Sequence, residues 1–204
     1  MAANCGICPP VDEVIYMWED GGGGLAAVLN PEGMGEAHLQ IDPEIRTTAL
    51  EEEMLELAEE KFPSVREDRR RLCLMVRADD VMRQEMLKAR GYRKGRFREY
   101  HRALELTAPP DPVGIPEGWT IRHQRPEDVP ARSWASWKAF HPDEPDENYR
   151  SHDWYVNVLK APMYRRDLDL VAVADDGTVA AFCTVWYDDV TRSGYYEPVG
   201  TMPE

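Results

Sequence analysis

The chain carries one strand-and-turn pattern twice, and this repetition limits its folds more than any other feature does. Near the start, the apolar runs Val14–Trp18 and Leu25–Leu29 flank an acidic, glycine-containing turn, and a third run ends just before Pro43. Near the end, Asp175-Asp176-Gly177 separates two apolar runs, and the last run stops just before Pro203. The two prolines are about one ordinary domain length apart. We therefore interpret the chain as parts of two copies of one fold, the first lacking its beginning and the second its end.

Composition excludes several classes of protein. The 204 residues suffice for one large domain or two small ones, and a hydrophobic content of 43% is ordinary for a globular core. A net charge of −14 argues against nucleic-acid binding. No apolar run approaches the roughly 20 residues of a membrane span, and the first residues do not form a secretory signal. We therefore predict a cytoplasmic protein that does not bind membranes.

The four cysteines predict neither a disulfide scaffold nor a metal site. Cys5 and Cys8 have the C-x-x-C spacing, but no second pair of ligands at similar spacing lies nearby. Cys73 and Cys183 fall inside apolar runs, and this position predicts buried thiols.

The predicted domain boundaries follow changes in composition. Residues 1–10 form a leader, and the proline-rich stretch 107–117 forms a semi-rigid linker between domains at 11–106 and 118–204.

In the first domain, the three strands of the repeated pattern are followed by a helix, for which Thr48 and Glu51 fit a capping box. A strand over Leu72–Val76, a helix over Val81–Arg90 and a last strand over Phe97–Leu106 complete this domain.

The second domain begins with a strand at Trp119–His123, continues with two helices between 126 and 160, and ends in three strands. This order of elements, together with Gly91-Tyr92 after the last helix of the first domain, resembles the GNAT superfamily of N-acetyltransferases. The resemblance covers about residues 11–106 and 118–204, and the tandem pair is similar to the mycothiol synthase type of arrangement. It implies an α/β (α+β) fold with a mixed, mostly antiparallel sheet flanked by helices.

The resemblance also implies where acetyl-CoA binds. In this family the pantetheine arm pairs with main-chain groups of the fourth strand, which here carries Val199, Gly200 and Thr201. The pyrophosphate of the cofactor binds at the N-terminus of the next helix through a glycine-rich loop, where free N–H groups and the helix dipole attract an anion.

Neither copy has both a suitable fourth strand for the pantetheine arm and a glycine-rich loop for the pyrophosphate. In the first copy no glycine lies between Asp42 and Lys61, Glu51-Glu52-Glu53 crowd the first turn of the corresponding helix, and Leu87 stands where the family often has an acid-catalyst tyrosine. We therefore predict that this copy is non-catalytic. The second copy has a suitable fourth strand but reaches Glu204 where the pyrophosphate loop is expected. The two copies could complement each other within one chain or across a domain-swapped homodimer.

Amine acetylation needs a base that deprotonates the attacking amine, and Glu197 on the same strand is the candidate. By resemblance, the two helices of the second domain line the acceptor pocket, for which Trp134, Trp137 and Tyr155 are the candidate residues. Each candidate has a structural alternative: Glu197 as an exposed strand carboxylate, residues 199–201 as ordinary sheet partners, and the aromatic residues as core.

These features predict an acetyl-CoA-dependent N-acetyltransferase that acts on a small-molecule amine, with no metal. The chain as given is expected to have weak activity or none. The alternative is a non-catalytic binding or structural module that keeps the fold, and the missing pyrophosphate loops favour it.

Overall fold

The computed structural model describes residues 11–203, which divide into two compact units, 11–104 and 105–203. Each unit contains one four-stranded sheet. Among residues 11–203, every helix is too short or too polar to cross a membrane. The Cys5-x-x-Cys8 motif lies outside the described residues.

The first unit begins with an antiparallel meander and continues with alternating helices and short strands. Its elements are α1 (Val11–Val14), β1 (Tyr16–Glu19), β2 (Leu25–Gly33), β3 (Glu36–Ile41), α2 (Thr48–Lys61), β4 (Ser64–Arg66), β5 (Arg69–Arg71), β6 (Cys73–Leu74) and α3 (Val81–Ala89). The main sheet has the order β1-β2-β3-β6, in which only the β3–β6 pair is parallel, and β4 and β5 form a separate hairpin.

Local chemistry explains the first meander and its packing. The Asp20 carboxylate accepts hydrogen bonds from the main-chain N–H groups of Gly22 and Gly24 at 2.7 and 2.8 Å, and this closes the β1–β2 turn. Helix α2 buries Met54 and Leu55 completely in the core cluster formed with the sheet.

Helix α2 is capped one residue earlier than the capping-box pattern predicts. Thr47 is the N-cap, because its hydroxyl accepts from the N–H of Leu50 at 3.2 Å. The prediction that Thr48 and Glu51 form the capping box is therefore wrong. Glu51 is instead buried, and it binds two arginines that the sequence pattern did not connect with it.

The predicted strand over Phe97–Leu106 is also wrong. Residues 92–116 have no regular secondary structure, and Phe97 and Tyr100 are 72% and 78% exposed. Alternation of side chains favours an extended chain, but a strand also needs a neighbouring strand for its main-chain hydrogen bonds. In the Leu72–Val76 run only Cys73–Leu74 enters the sheet, and Cys73 is exposed rather than buried.

The second unit follows the predicted order of strand, helices and meander. Its elements are β7 (Trp119–His123), α4 (Val129–Phe140), α5 (Asp153–Val158), β8 (Asp169–Ala174), β9 (Val179–Asp188) and β10 (Ser193–Thr201), with single 3-10 turns before α4, α5 and β8. The sheet has the order β10-β9-β8-β7 and is antiparallel throughout. Mostly antiparallel sheets flanked by helices thus confirm the predicted fold class.

Helix α4 packs on the sheet through an unusual face. Its buried residues include Arg132, Ser133 and Ser136 as well as Ala135. Ala135 joins the small core formed with Val171, Val173, Val179 and Phe182 of the sheet. The larger side chains of α4, Trp134 and Trp137, are only partly buried.

An ion pair joins β7 to the start of α4. Arg122 donates to both carboxylate oxygens of Asp128 at 2.5 and 2.9 Å, and the main-chain N–H of Arg125 donates to the same carboxylate at 2.7 Å. The hydrogen bond from Arg122 is the main cause of the lowered pKa of Asp128.

We expect Asp128→Asn to lower the free energy of unfolding at neutral pH by about 2 kcal/mol, because the side chain loses its charge-assisted bonds. The folded-state pKa of Asp128 lies below the ordinary value near 4, so its stabilising effect is present above that value and is lost as the pH falls through the folded-state pKa. Urea unfolding of both proteins from pH 7 down to pH 3 tests this. The stability difference should shrink in acid, and a constant difference would contradict the assignment.

Candidate functional site

Strand β10 forms one edge of the second unit's sheet and carries the residues predicted for catalysis and cofactor binding. It pairs with β9 over Ser193–Tyr196 and again over Val199–Thr201. Between these two stretches, Glu197 and Pro198 stand opposite the single residue Thr184. This extra residue is a β-bulge, which bends an edge strand and redirects its side chains.

The hydrogen-bond pattern shows which main-chain groups of β10 face outward. Met202 donates its N–H to the carbonyl of Ala180 at 2.8 Å, so residues 202 and 200 make the ladder bonds with β9. In an antiparallel pair the intervening residues direct their N–H and C=O groups away from the partner. Val199 and Thr201 therefore present these groups along the outer edge of the sheet.

Glu197 lies at the bulge and is half-buried. Its main-chain carbonyl accepts a hydrogen bond from the indole Nε1 of Trp186 on β9 at 2.6 Å. The Trp186 ring also contacts the ring of Tyr164, with centroids 6.5 Å apart. The bulge is thus held from the neighbouring strand by a side chain as well as by the ladder.

Gly200 is required by close packing rather than by its backbone angles. A Cβ atom built on it would lie 3.0 Å from both Cε atoms of the Phe182 ring and closer still to its Cζ. Real Cβ atoms are essentially never found that close to a ring, so any larger residue would have to move either β10 or the ring.

Two of the three predicted acceptor residues lie together. Trp134 and Trp137 stack with ring centroids 5.4 Å apart, and Tyr149 meets Trp134 edge-on at 5.1 Å. His141 also stacks on Trp137, with ring centroids 5.6 Å apart. We call these four residues the aromatic cluster.

An ion pair lies beside the aromatic cluster. The ammonium of Lys138 lies 5.8 Å from the centroids of both Trp134 and Trp137, and Asp146 binds that ammonium at 2.9 Å. The four acids of the segment between α4 and α5 are all exposed: Asp143, Glu144, Asp146 and Glu147. The arrangement therefore combines aromatic faces that attract cations with nearby negative charge.

Tyr155 is not part of this cluster. It is buried beneath the sheet, where its hydroxyl donates to the carboxylate of Asp169. The same carboxylate accepts from the hydroxyls of Tyr164 at 3.1 Å and Thr184 at 3.0 Å. Burial raises the pKa of Tyr155, so its hydroxyl stays protonated and acts as a donor.

The sequence analysis missed Arg132, the cation beside this carboxylate. Its Nε lies 3.6 Å from Asp169, its Nη2 donates to Thr184 at 3.1 Å, and burial lowers the pKa of its guanidinium. A signal was available: Arg132 lies three residues before Ala135 and so on the same helix face. The predicted acceptor residues Trp134 and Trp137 lie on the other side of this helix, because each residue turns the helix by about 100°.

The start of α2 in the first unit holds a compact charge cluster. Buried Glu51 accepts from Arg83 at 2.8 and 2.9 Å and from Arg46, and Arg46 also binds Asp80 at 2.9 Å. Asp80 in turn caps α3 by accepting from the N–H of Arg83. The arginines near this helix N-terminus are thus already bound by internal carboxylates.

The described residues 11–203 contain no group of three or more His, Cys, Asp or Glu side chains that could hold a metal ion.

We expect Gly200→Ala to cost about 1–3 kcal/mol of stability, the usual penalty for overpacking a filled site. Gly194→Ala is the matched control on the same strand, because its Cβ would meet only Val185 Cγ1, at 3.3 Å. Thermal unfolding of both variants tests this expectation. Equal melting temperatures for the two would mean that the Phe182 ring does not limit residue 200.

No family model and no curated protein sequence matches the chain. Among solved structures, it is similar to a GCN5-related N-acetyltransferase from Sphaerobacter thermophilus, with a TM-score of 0.61 and 18% identity over 96% of this chain. A second structure is described as a glucosamine N-acetyltransferase region in a fungal multi-domain GH3 β-N-acetylglucosaminidase; its TM-score is 0.44 at 15% identity, with 98% of this chain and 28% of that one covered.

The alignment spans 63% of the Sphaerobacter chain, so this chain corresponds to less than two thirds of that protein's length. At 18% identity the similarity establishes a shared fold. The chain has the fold of the GCN5-related N-acetyltransferases.

Proposed function

We propose that the chain is part of an acetyl-CoA-dependent N-acetyltransferase that transfers an acetyl group to a small-molecule amine. The observation that carries this proposal is the edge of β10, where Val199 and Thr201 direct main-chain groups outward next to a bulge that carries Glu197. The fold shared with a GCN5-related N-acetyltransferase supports it.

The outer edge of β10 suits the pantetheine arm of acetyl-CoA. That arm is an extended chain with two amide groups, and an edge strand offers the alternating donors and acceptors that such a ligand binds. Val199 and Thr201 would supply these groups. Gly200 between them lets the strand lie close to the Phe182 ring, because it has no Cβ. The bound cofactor would supply the activated acetyl group.

Glu197 would act as the base that removes a proton from the acceptor ammonium. It lies two residues before Val199, at the bulge, so it stands beside the stretch proposed to hold the cofactor. The aromatic cluster would bind the acceptor through Trp134 and Trp137, and the acids of the loop 143–147 would favour a cationic amine. Tyr155, buried beneath the sheet, would support this pocket through α5 rather than contact the acceptor.

A second candidate function is a non-catalytic binding module with the same fold. The charge cluster at the start of α2 favours it for the first unit, because Glu51 and Asp80 already occupy the arginines that an anion would need. We accordingly propose that only the second unit binds acetyl-CoA. Self-association through exchanged strands stays a prediction.

The cofactor assignment is tested by replacing a single outward-facing N–H. Thr201→Pro removes that N–H, and it should leave the ladder with β9 intact because residue 201 makes no ladder bond. Thr201→Val, which keeps the N–H, is the matched control. We expect calorimetric titration to give a dissociation constant for acetyl-CoA about tenfold weaker in the proline variant and unchanged in the valine variant. An unchanged constant in both would remove Thr201 from the site.

The catalytic assignment is tested with Glu197→Gln. Loss of a general base should lower kcat about 100-fold or more, while the affinity for acetyl-CoA stays within twofold. Release of free CoA thiol in the presence of a panel of primary amines gives the rate. If the native chain binds acetyl-CoA but acetylates none of the amines, the non-catalytic module becomes the better description.

A further inference from the structure

The Phe182 ring lies between a buried cation and the β10 backbone. The Arg132 guanidinium carbon lies 3.8 Å from the ring centroid, over the ring. The outer edge of the same ring, formed by Cζ and the two Cε atoms, occupies the space where a side chain of residue 200 would begin. We call Arg132, Phe182 and Gly200 the stack.

At the inner end of the stack, Arg132 is fully buried but only partly hydrogen-bonded, and this lowers the stability of the fold. Arg132 has no exposed surface, and its Nε and Nη1 have no hydrogen-bond partner among the described residues. Its nearest counter-charge is Asp169 at 3.6 Å, and the Tyr155 ring lies 5.0 Å from the guanidinium carbon. A buried cation bound so incompletely costs stability compared with an apolar side chain of similar length. Stability alone therefore does not account for an arginine at this position.

The outer end of the stack meets the segment proposed to bind the cofactor. Gly200 makes the ladder bonds with β9, while its neighbours Val199 and Thr201 direct their N–H and C=O groups to the edge. A shift of residue 200 by a few tenths of an ångström moves both neighbours together. The orientation of the ring therefore affects the two main-chain groups on which cofactor alignment depends.

We propose that Arg132 and Phe182 are positioning residues, which fix the edge of β10 in the geometry that binds the pantetheine arm. Arg132 holds the face of the Phe182 ring, and the edge of the ring sets the position of Gly200. This inference rests on the proposed function, since it assumes that residues 199–201 bind acetyl-CoA. It adds two residues that do not themselves contact the cofactor.

The first experiment compares three variants of the full chain. Phe182→Leu removes the ring, and Arg132→Met removes the cation while keeping the length of the side chain. Val173→Ala is the control, because it opens the same core from β8, two strands away from β10. We expect the dissociation constant for acetyl-CoA, measured by calorimetric titration, to rise about tenfold in Phe182→Leu and Arg132→Met and to stay unchanged in Val173→Ala. Where turnover is measurable, kcat should stay within about twofold in all three variants.

If Val173→Ala melts at a temperature similar to that of the two stack variants, loss of thermal stability does not explain such a result. A dissociation constant that rises equally in all three variants would mean that the stack is ordinary core packing and would overturn the proposal. If Arg132→Met does not fold, Phe182→Leu alone still decides the outcome, because it leaves the ion pair with Asp169 in place.

A rescue experiment tests the contact itself. Leucine lacks the Cε and Cζ atoms that would clash with a side chain at residue 200. Phe182→Leu should therefore relieve any loss of acetyl-CoA affinity that Gly200→Ala causes. The double variant should bind acetyl-CoA at least as well as Gly200→Ala alone. Additive losses would show that residues 182 and 200 act independently and would overturn the proposal.

Hydrogen exchange at the Met202 amide tests the inference independently of the proposed function. This N–H bonds to β9 in the ladder, and its exchange rate is measured without cofactor. If the native chain does not bind acetyl-CoA, the proposed function fails and the cofactor role of the stack fails with it. Faster exchange in Phe182→Leu but not in Val173→Ala would then still establish that the ring fixes β10. If the native chain binds and both stack variants bind equally well, only the inference fails.

Discussion

The antiparallel ladder between β9 and β10 is the interaction on which the candidate site depends. Alternate residues of β10 hydrogen-bond to β9, and the residues between them direct their main-chain groups outward. The bulge at Glu197 interrupts the ladder and the Trp186 indole pins it, so the strand is fixed on both sides of the interruption. Residues 197 to 201 are therefore held by a neighbouring strand while one side of them stays accessible to a ligand.

The two units use buried arginines in opposite ways. In the first unit, Arg83 and Arg46 are bound closely by Glu51 and Asp80, which locks α2, α3 and the meander together. In the second unit, Arg132 has an incomplete set of hydrogen bonds and rests on aromatic rings. A satisfied cluster specifies a fold, whereas an incompletely bound cation packed on β9, the neighbour of the edge strand, suits the positioning role proposed for Arg132.

Local signals predicted much of the fold. The bounds of β7 and the start of α3 at Val81 were both predicted from a few neighbouring residues. The predicted strand over 97–106 was wrong, because a strand needs a neighbouring strand and the alternation of side chains does not show whether one is present. Arg132 was missed because the spacing of apolar residues along α4 does not indicate which charged side chain is buried against the sheet. Among the candidate site residues, those on β10 share one short segment of strand, whereas Tyr155 lies beneath the sheet with a carboxylate that only tertiary structure brings to it.

The outer edge of β10 is also a place where two molecules of the protein could associate. Main-chain groups that can receive a ligand can equally receive a strand from another protein molecule, which is how edge strands begin to aggregate. Pro198 interrupts this edge and limits the length of any such pairing. By thermodynamic linkage, any ligand on residues 199–201 competes with self-pairing there, so its concentration also governs how readily the chain stays dispersed.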